Sequence, residues 1–238
     1  MRCLWGLVLA ALLMAGAPGA QAEGTAEYVI KVRGITVGSF RLTATQTGAR
    51  YSVSGGIVSA GLATIVRRFS YAGLSRGILR GGRLLPESYR EVADTGRRQS
   101  EVVIDYQDGV PTVTRYASNN PPGPDSPDPA TQAGTLDPMS ALFAVFRDRP
   151  GDAVCGETIA MFDGRRRSQL VLAAAQRGGA RLRCSGEYRR LQGFTEKELS
   201  RHVAFPLTVI YAPNGNGGVH VERVEVTSVY GLATLDRR

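Results

Sequence analysis

The chain has 238 residues, 43% of them hydrophobic and 21% charged, with 29 Gly, 12 Pro and a formal net charge of +8. That apolar content excludes a disordered chain, and only one stretch is apolar enough to enter a bilayer, which excludes a polytopic membrane protein. The length fits one domain, or at most two small ones.

The apolar stretch is N-terminal. In residues 1–22 a single cation, Arg2, precedes an apolar run from Leu4 to Ala15, followed by small residues ending in Ala20-Gln21-Ala22. This is the layout of a secretory signal peptide, and the run is shorter than the ~20 residues that a span requires. Cys3 precedes the run, so it is not placed to carry a lipid after cleavage. Cleavage after Ala22 is expected, leaving an exported chain, 23–238, without a transmembrane segment. Cys155 and Cys184 then remain, an even pair in a compartment where disulfides persist, and they are expected to bond. Apart from Lys31 and Lys197 the cations are Arg. Such a chain is drawn to anionic surfaces such as lipid head groups. Nucleic acid is not an expected partner, because the cations are not gathered with stacking aromatics.

Strand signals dominate the rest of the chain. Tyr28–Arg33 alternates, Gly34 turns the chain, and Ile35–Thr43 returns, with Tyr51–Gly55 continuing the meander. Gly56–Phe69, with Ile57, Leu62, Ile65 and Val66 apolar, predicts a short helix. Leu84–Arg90 and Glu101–Tyr106 read as strands, and Asp108-Gly109 predicts a tight hairpin into Thr112–Tyr116. Residues 119–131, rich in Pro, predict a flexible polar loop inside one domain. A helix is predicted from Asp137: its carboxylate can cap the first turn and Pro138 suits the first helical position, with Met139, Leu142, Phe143 and Phe146 on one face. Thr158–Phe162 and Ser168–Leu172 flank Asp163-Gly164, and Leu207–Tyr211 and His220–Thr227 flank a Gly- and Asn-rich turn.

About ten antiparallel strands with one or two short helices imply a mainly β fold. The expected architecture is a single large curled antiparallel sheet, a barrel or half-barrel, because twist accumulates and open edges invite aggregation. Ile30, Val32, Val37, Phe40, Ile104, Tyr106, Leu170 and Leu172 are the candidate inner face. Such residues suit a filled core or a hollow lumen that takes an apolar ligand.

Catalytic patterns are sparse. His202 and His220 show no metal-ligand spacing, Ser140 sits in a capping context, and no phosphate-cradling Gly-rich loop occurs. The Asp105 and Asp108 pair is explained by strand and turn positions. Neither a metal nor a cofactor is expected. Arg165-Arg166-Arg167, beside the Asp163-Gly164 turn, is the one dense basic cluster and a candidate set of anion contacts.

Several phrases occur together: Tyr28-x-Ile30, Gly34-Ile35-x-Val37-Gly38, Leu85-Pro86-x-x-Tyr89, Leu136-Asp137-Pro138-x-Ser140-Ala141-Leu142, Phe162-Asp163-Gly164-Arg165-x-Arg167, Cys184-x-Gly186-x-Tyr188 and Tyr230-Gly231. In these the chain resembles the proteobacterial exported family catalogued as domain of unknown function 3108. The resemblance implies a periplasmic envelope protein and brings no catalytic residues. The leading expectation is a non-enzymatic protein for envelope maintenance that holds a lipid, an acyl chain or a partner segment in its curled sheet. The alternatives are a hydrolase acting on an envelope polymer through paired carboxylates, and a scaffold binding partners by strand addition.

Overall fold

A computed structural model describes residues 21–60, 69–96 and 98–238. Seven strands come first: β1 (Gln21–Val32), β2 (Ile35–Thr47), β3 (Arg50–Ser59), β4 (Ser70–Arg80), β5 (Arg83–Asp94), β6 (Gln99–Gln107) and β7 (Val110–Ser118). Helix α1 (Pro138–Phe146) comes next, then β8 (Thr158–Phe162), β9 (Arg167–Leu172), β10 (Gln176–Gly178) and β11 (Arg181–Gln192). A short helix α2 (Glu196–Arg201) leads into β12 (Ala204–Pro213), β13 (Val219–Ser228) and β14 (Gly231–Arg237).

The strands form one 14-stranded antiparallel sheet in the order β7-β6-β5-β4-β3-β2-β1-β14-β13-β12-β11-β9-β8, with β10 paired to β11. The predicted mainly β class and curled sheet are therefore observed. Local chemistry explains the hairpins. At Asp108 and Gly109 φ is +52° and +78°, the pair of positive angles that a two-residue turn between twisted strands requires.

The sheet does not close by strand pairing. Its edges, β7 and β8, are joined by the segment between β7 and α1. Gly134 N donates to Gly109 O (2.9 Å) beside β7, and Leu136 bridges Met161 of β8 in parallel. The predicted flexible loop, 119–131, leads into this seam. It contains a turn of 3-10 helix at Pro129–Thr131, capped by Asp128, and the residue after it, Gln132, is buried, its Oε1 accepting from Arg167.

Helix α1 fills the interior. Asp137 caps it through Ser140 N, as the sequence predicts. Met139, Phe143 and Phe146 are buried, but so are Ser140, Ala141, Ala144 and Val145, so the helix is enclosed on nearly every side rather than laid on one face. Room for it comes from two glycines paired across β3 and β4. A Cβ on Gly55 or Gly73 would stand 2.8 or 2.7 Å from the Met139 side chain. Phe143 stacks on Tyr51, and Phe146 meets Tyr28 and Phe40 edge-on at 5.2 and 5.7 Å. Each such fully buried ring contributes roughly 2–3 kcal/mol through area alone.

The predicted helix 56–69 is not formed at its start: Gly56–Ser59 continues β3, where pairing with both β2 and β4 satisfies the backbone on each side. Its centre, 61–68, lies outside the described residues. Most of the predicted leader, 1–20, also lies outside them, while Gln21 and Ala22 pair with Thr47 and Gln46 as the first residues of β1.

Candidate functional site

One mouth of the barrel carries a groove of about 410 Å3. Its floor is apolar: Phe143 and Phe146 from the last turns of α1, Ala26 from β1, and Leu42 and Ala44 from β2. These side chains meet because β1 and β2 pair Ala26 with Leu42 and the plug helix ends beneath them. The rim is polar and basic, with Arg147, Asp148, Gln46, Asn216 and Arg237. Arg147 succeeds the helix directly. It lies 5.9 Å above the Phe143 ring and donates to Gly82 O (3.1 Å), while its Nε is buried without a partner. Burial lowers the pKa of this guanidinium, an effect that a bound anion would offset. A second depression, of about 470 Å3, lies among Lys31, Arg181, Arg183, Arg223 and Arg237. There Lys31 and Arg223 pair with Asp236, Arg181 with Glu222 and Arg183 with Glu225, so most of its cations are already neutralised.

The barrel also buries two polar chains. At the start of α1, Asp137 is fully buried and accepts from Ser140 N (2.9 Å), Ser140 Oγ (2.6 Å) and Ser75 Oγ (2.9 Å), and Tyr51 OH lies 2.7 Å from Ser140 Oγ. Desolvation raises the Asp137 pKa against these donors. Near the opposite mouth Tyr71 OH lies 3.0 Å from Tyr89 OH, which donates to Glu91 Oε2 at 2.5 Å. Asp163 is half-buried nearby and accepts from Arg165 N and Arg166 N, as a turn carboxylate does. Burial raises its pKa, and its charge also helps to raise that of Glu91.

Burial moves Glu91 from 4.5 to about 7. Because the folded form keeps a proton that the unfolded chain releases, stability falls as pH rises from 4.5 to 7, and the penalty is complete above that. Glu91→Gln removes the charge and keeps an acceptor for Tyr89. It should stabilise the fold by about 2 kcal/mol at about pH 8 and change little at about pH 4.5. Urea unfolding at the two pH values checks this, and an equal shift at both would contradict it.

None of the candidate site residues from the sequence lines the groove. Phe40, Ile104 and Leu172 are buried in the core, and Ile30, Tyr106 and Leu170 are half-buried against it. Val32 and Val37 are half-buried outside that cluster. Of these inner-face candidates, none lines the groove. Arg165 donates to Asn120 O, Arg166 pairs with Glu198 beneath the Phe194 ring, and Arg167 donates to Gln132, so the basic cluster ties the seam and the β8–β9 turn together. Cys155 and Cys184 form a disulfide with Cα atoms 5.6 Å apart. His202 stacks on Phe205, while His220 lies on β13. No cluster of three or more metal-ligating side chains occurs among the described residues. Arg147 and the groove floor were missed by sequence reasoning, whose only usable signal was the helix pattern ending at Phe146 and Arg147.

No curated protein matches the sequence. A crystal structure of a beta-barrel-like protein of domain of unknown function DUF1849 from Brucella abortus aligns with 93% of this chain and 98% of its own, at a TM-score of 0.49 and 11% identity. Residues 27–188 match the model of the family described as Protein of unknown function (DUF3108), and the chain belongs to that family.

Proposed function

We propose that the protein is a non-enzymatic binding protein of the periplasm, serving the cell envelope, and that it holds an amphiphile with an acyl chain and an anionic head in the groove at the barrel mouth. The observation that carries this reading is the junction of an apolar floor, Phe143, Phe146, Leu42, Ala26 and Ala44, with the guanidinium of Arg147 at its rim. The plug occupies the barrel axis, so the ligand is expected at the mouth and not in a central lumen. The groove volume falls within the roughly 300–1,000 Å3 of small-molecule sites. A disulfide fits an oxidising compartment, and no helix among the described residues is long and apolar enough to cross a membrane.

Titration with dodecanoate and dodecyl phosphate, followed by native mass spectrometry, tests the reading. One ligand should bind per chain. Arg147→Gln should weaken binding about ten-fold, the loss of one charge-assisted hydrogen bond. Absence of binding, or equal affinity in the variant, would overturn the assignment. The second reading, hydrolysis through paired carboxylates, is favoured by the raised pKa values of Glu91 and Asp163. Asp163 is committed to two backbone amides, which leaves Glu91 as the sole candidate acid of that pair.

A further inference from the structure

The mouth opposite the groove exposes apolar side chains on two adjacent hairpin tips. Because β1 pairs with β14, the β1–β2 turn lies beside the β13–β14 turn, and Arg33 N donates to Leu232 O at 2.8 Å. Ile35 stands on one tip, and Val229, Tyr230 and Leu232 stand on the other. All four are exposed, Tyr230 at 73%. The second tip is held in place: Ser228 Oγ donates to Gly231 O (2.7 Å) and accepts from Tyr230 N (3.1 Å). Its apolar side chains are therefore displayed by an ordered turn, although burying them elsewhere would be favourable.

Charge surrounds this patch with one dominant sign. Arg33 packs over Gly231, where a Cβ would stand 2.7 Å from Nε, and it has no ion-pair partner among the described residues. Helix α2, which leads into β12 beside β13, brings exposed Lys197 and Arg201 to the same end, together with exposed Val203 and one exposed acid, Glu196. Tyrosine with aliphatic neighbours and flanking cations is the composition that settles at a bilayer interface: the ring spans the head-group boundary and the cations meet lipid phosphates.

We infer that the tips of the β1–β2 and β13–β14 hairpins dock the protein on an anionic lipid bilayer, with Tyr230, Leu232 and Ile35 entering the interface and Arg33 contacting phosphate. The groove lies at the far ends of β1 and β2, around Thr25 and Gln46, so docking leaves it facing the aqueous phase. The inference is independent of what the groove binds.

The one Trp of the sequence, Trp5, lies in the expected leader, so in the exported chain, 23–238, Tyr230→Trp places the sole indole on the tip. That chain is mixed with vesicles of brominated phosphatidylcholine, with or without phosphatidylglycerol. Emission should be quenched on the anionic vesicles and recover at high salt. Arg33→Gln should weaken binding about five-fold, the effect of one cation near a charged surface, and Leu232→Asp should abolish the quenching. Unquenched emission overturns the inference, even where the chain sediments with vesicles, because binding then runs through another segment. A lipid-independent dimer that Leu232→Asp dissolves, seen by light scattering, also overturns it and assigns the patch to a second copy.

Discussion

Asp137→Ala is expected to cost the fold about 3 kcal/mol in urea unfolding, because one carboxylate both caps the plug helix and ties it to the wall of the barrel. Oδ1 accepts from Ser140 N, and Oδ2 accepts from the hydroxyls of Ser75 on β4 and Ser140 on α1. Removing it withdraws the helix cap, worth roughly 1 kcal/mol, and leaves buried donors to re-pair among themselves. Partial re-pairing is available, since Ser140 Oγ lies 2.8 Å from Ser75 Oγ and 2.7 Å from Tyr51 OH. That keeps the loss below the sum of three hydrogen bonds.

Asp137→Asn separates the cap from the charge. The amide oxygen can take the place of Oδ1, and the hydroxyls can turn to accept from the amide nitrogen. Burial raises the Asp137 pKa, so the parent fold loses stability as pH rises above the ordinary carboxylate value, whereas the Asn variant lacks this dependence. The deficit of the Asn variant should therefore be largest in acid and shrink toward neutral pH. A loss under about 1 kcal/mol for Asp137→Ala, no more than the cap alone, would show that α1 is held by packing.

These residues also mark how far the sequence is legible. Asp137-Pro138 announces a helix start through capping chemistry that acts within one turn, and Asp108-Gly109 announces a hairpin through the positive φ that it tolerates. Both signals are local, and both elements stand where they are expected. Strand β4 gives no such signal, because Gly73 and Gly77 replace the apolar side chains that would mark its inner face. Their smallness serves Met139 and Tyr51, which come from elsewhere in the chain. The Gly56–Phe69 segment misleads for a related reason: its apolar spacing resembles a helix face, but at Gly56–Ser59 two neighbouring strands supply the hydrogen bonds. The groove was not legible, since Ala26, Leu42 and Phe146 meet only after the sheet has curled around α1. Glu91 and Asp163, far apart in sequence, likewise come together only through the fold.

Removing the disulfide should have the largest effect on stability. The cysteines are 29 residues apart, and closing such a loop stabilises a fold by about 3.5 kcal/mol in the chain-entropy account. The bridge also has a local role. Cys155 lies just before β8, an edge strand of five residues, and Cys184 is fully buried in β11. Strand β9 separates these two, so the bond staples the last hairpin of the sheet to a strand that the hairpin's own outer member does not touch. The Cys155→Ala/Cys184→Ala variant, or the parent chain under reducing conditions, should unfold at a lower urea concentration and with a steeper dependence, since the unlinked chain exposes more surface. Amide exchange should locate the change. Protection should fall first in β8 and β9, whose remaining ties are the Leu136 bridge, the ladder to β11 and the side-chain bonds of Arg165, Arg166 and Arg167, while β1–β5 keep theirs. Uniform loss across the sheet would mean that the bridge acts only through the unfolded state. A loss below about 1 kcal/mol, far short of the chain-entropy value, would mean that the Arg166–Glu198 pair and the β9–β11 ladder hold the sheet edge without covalent help.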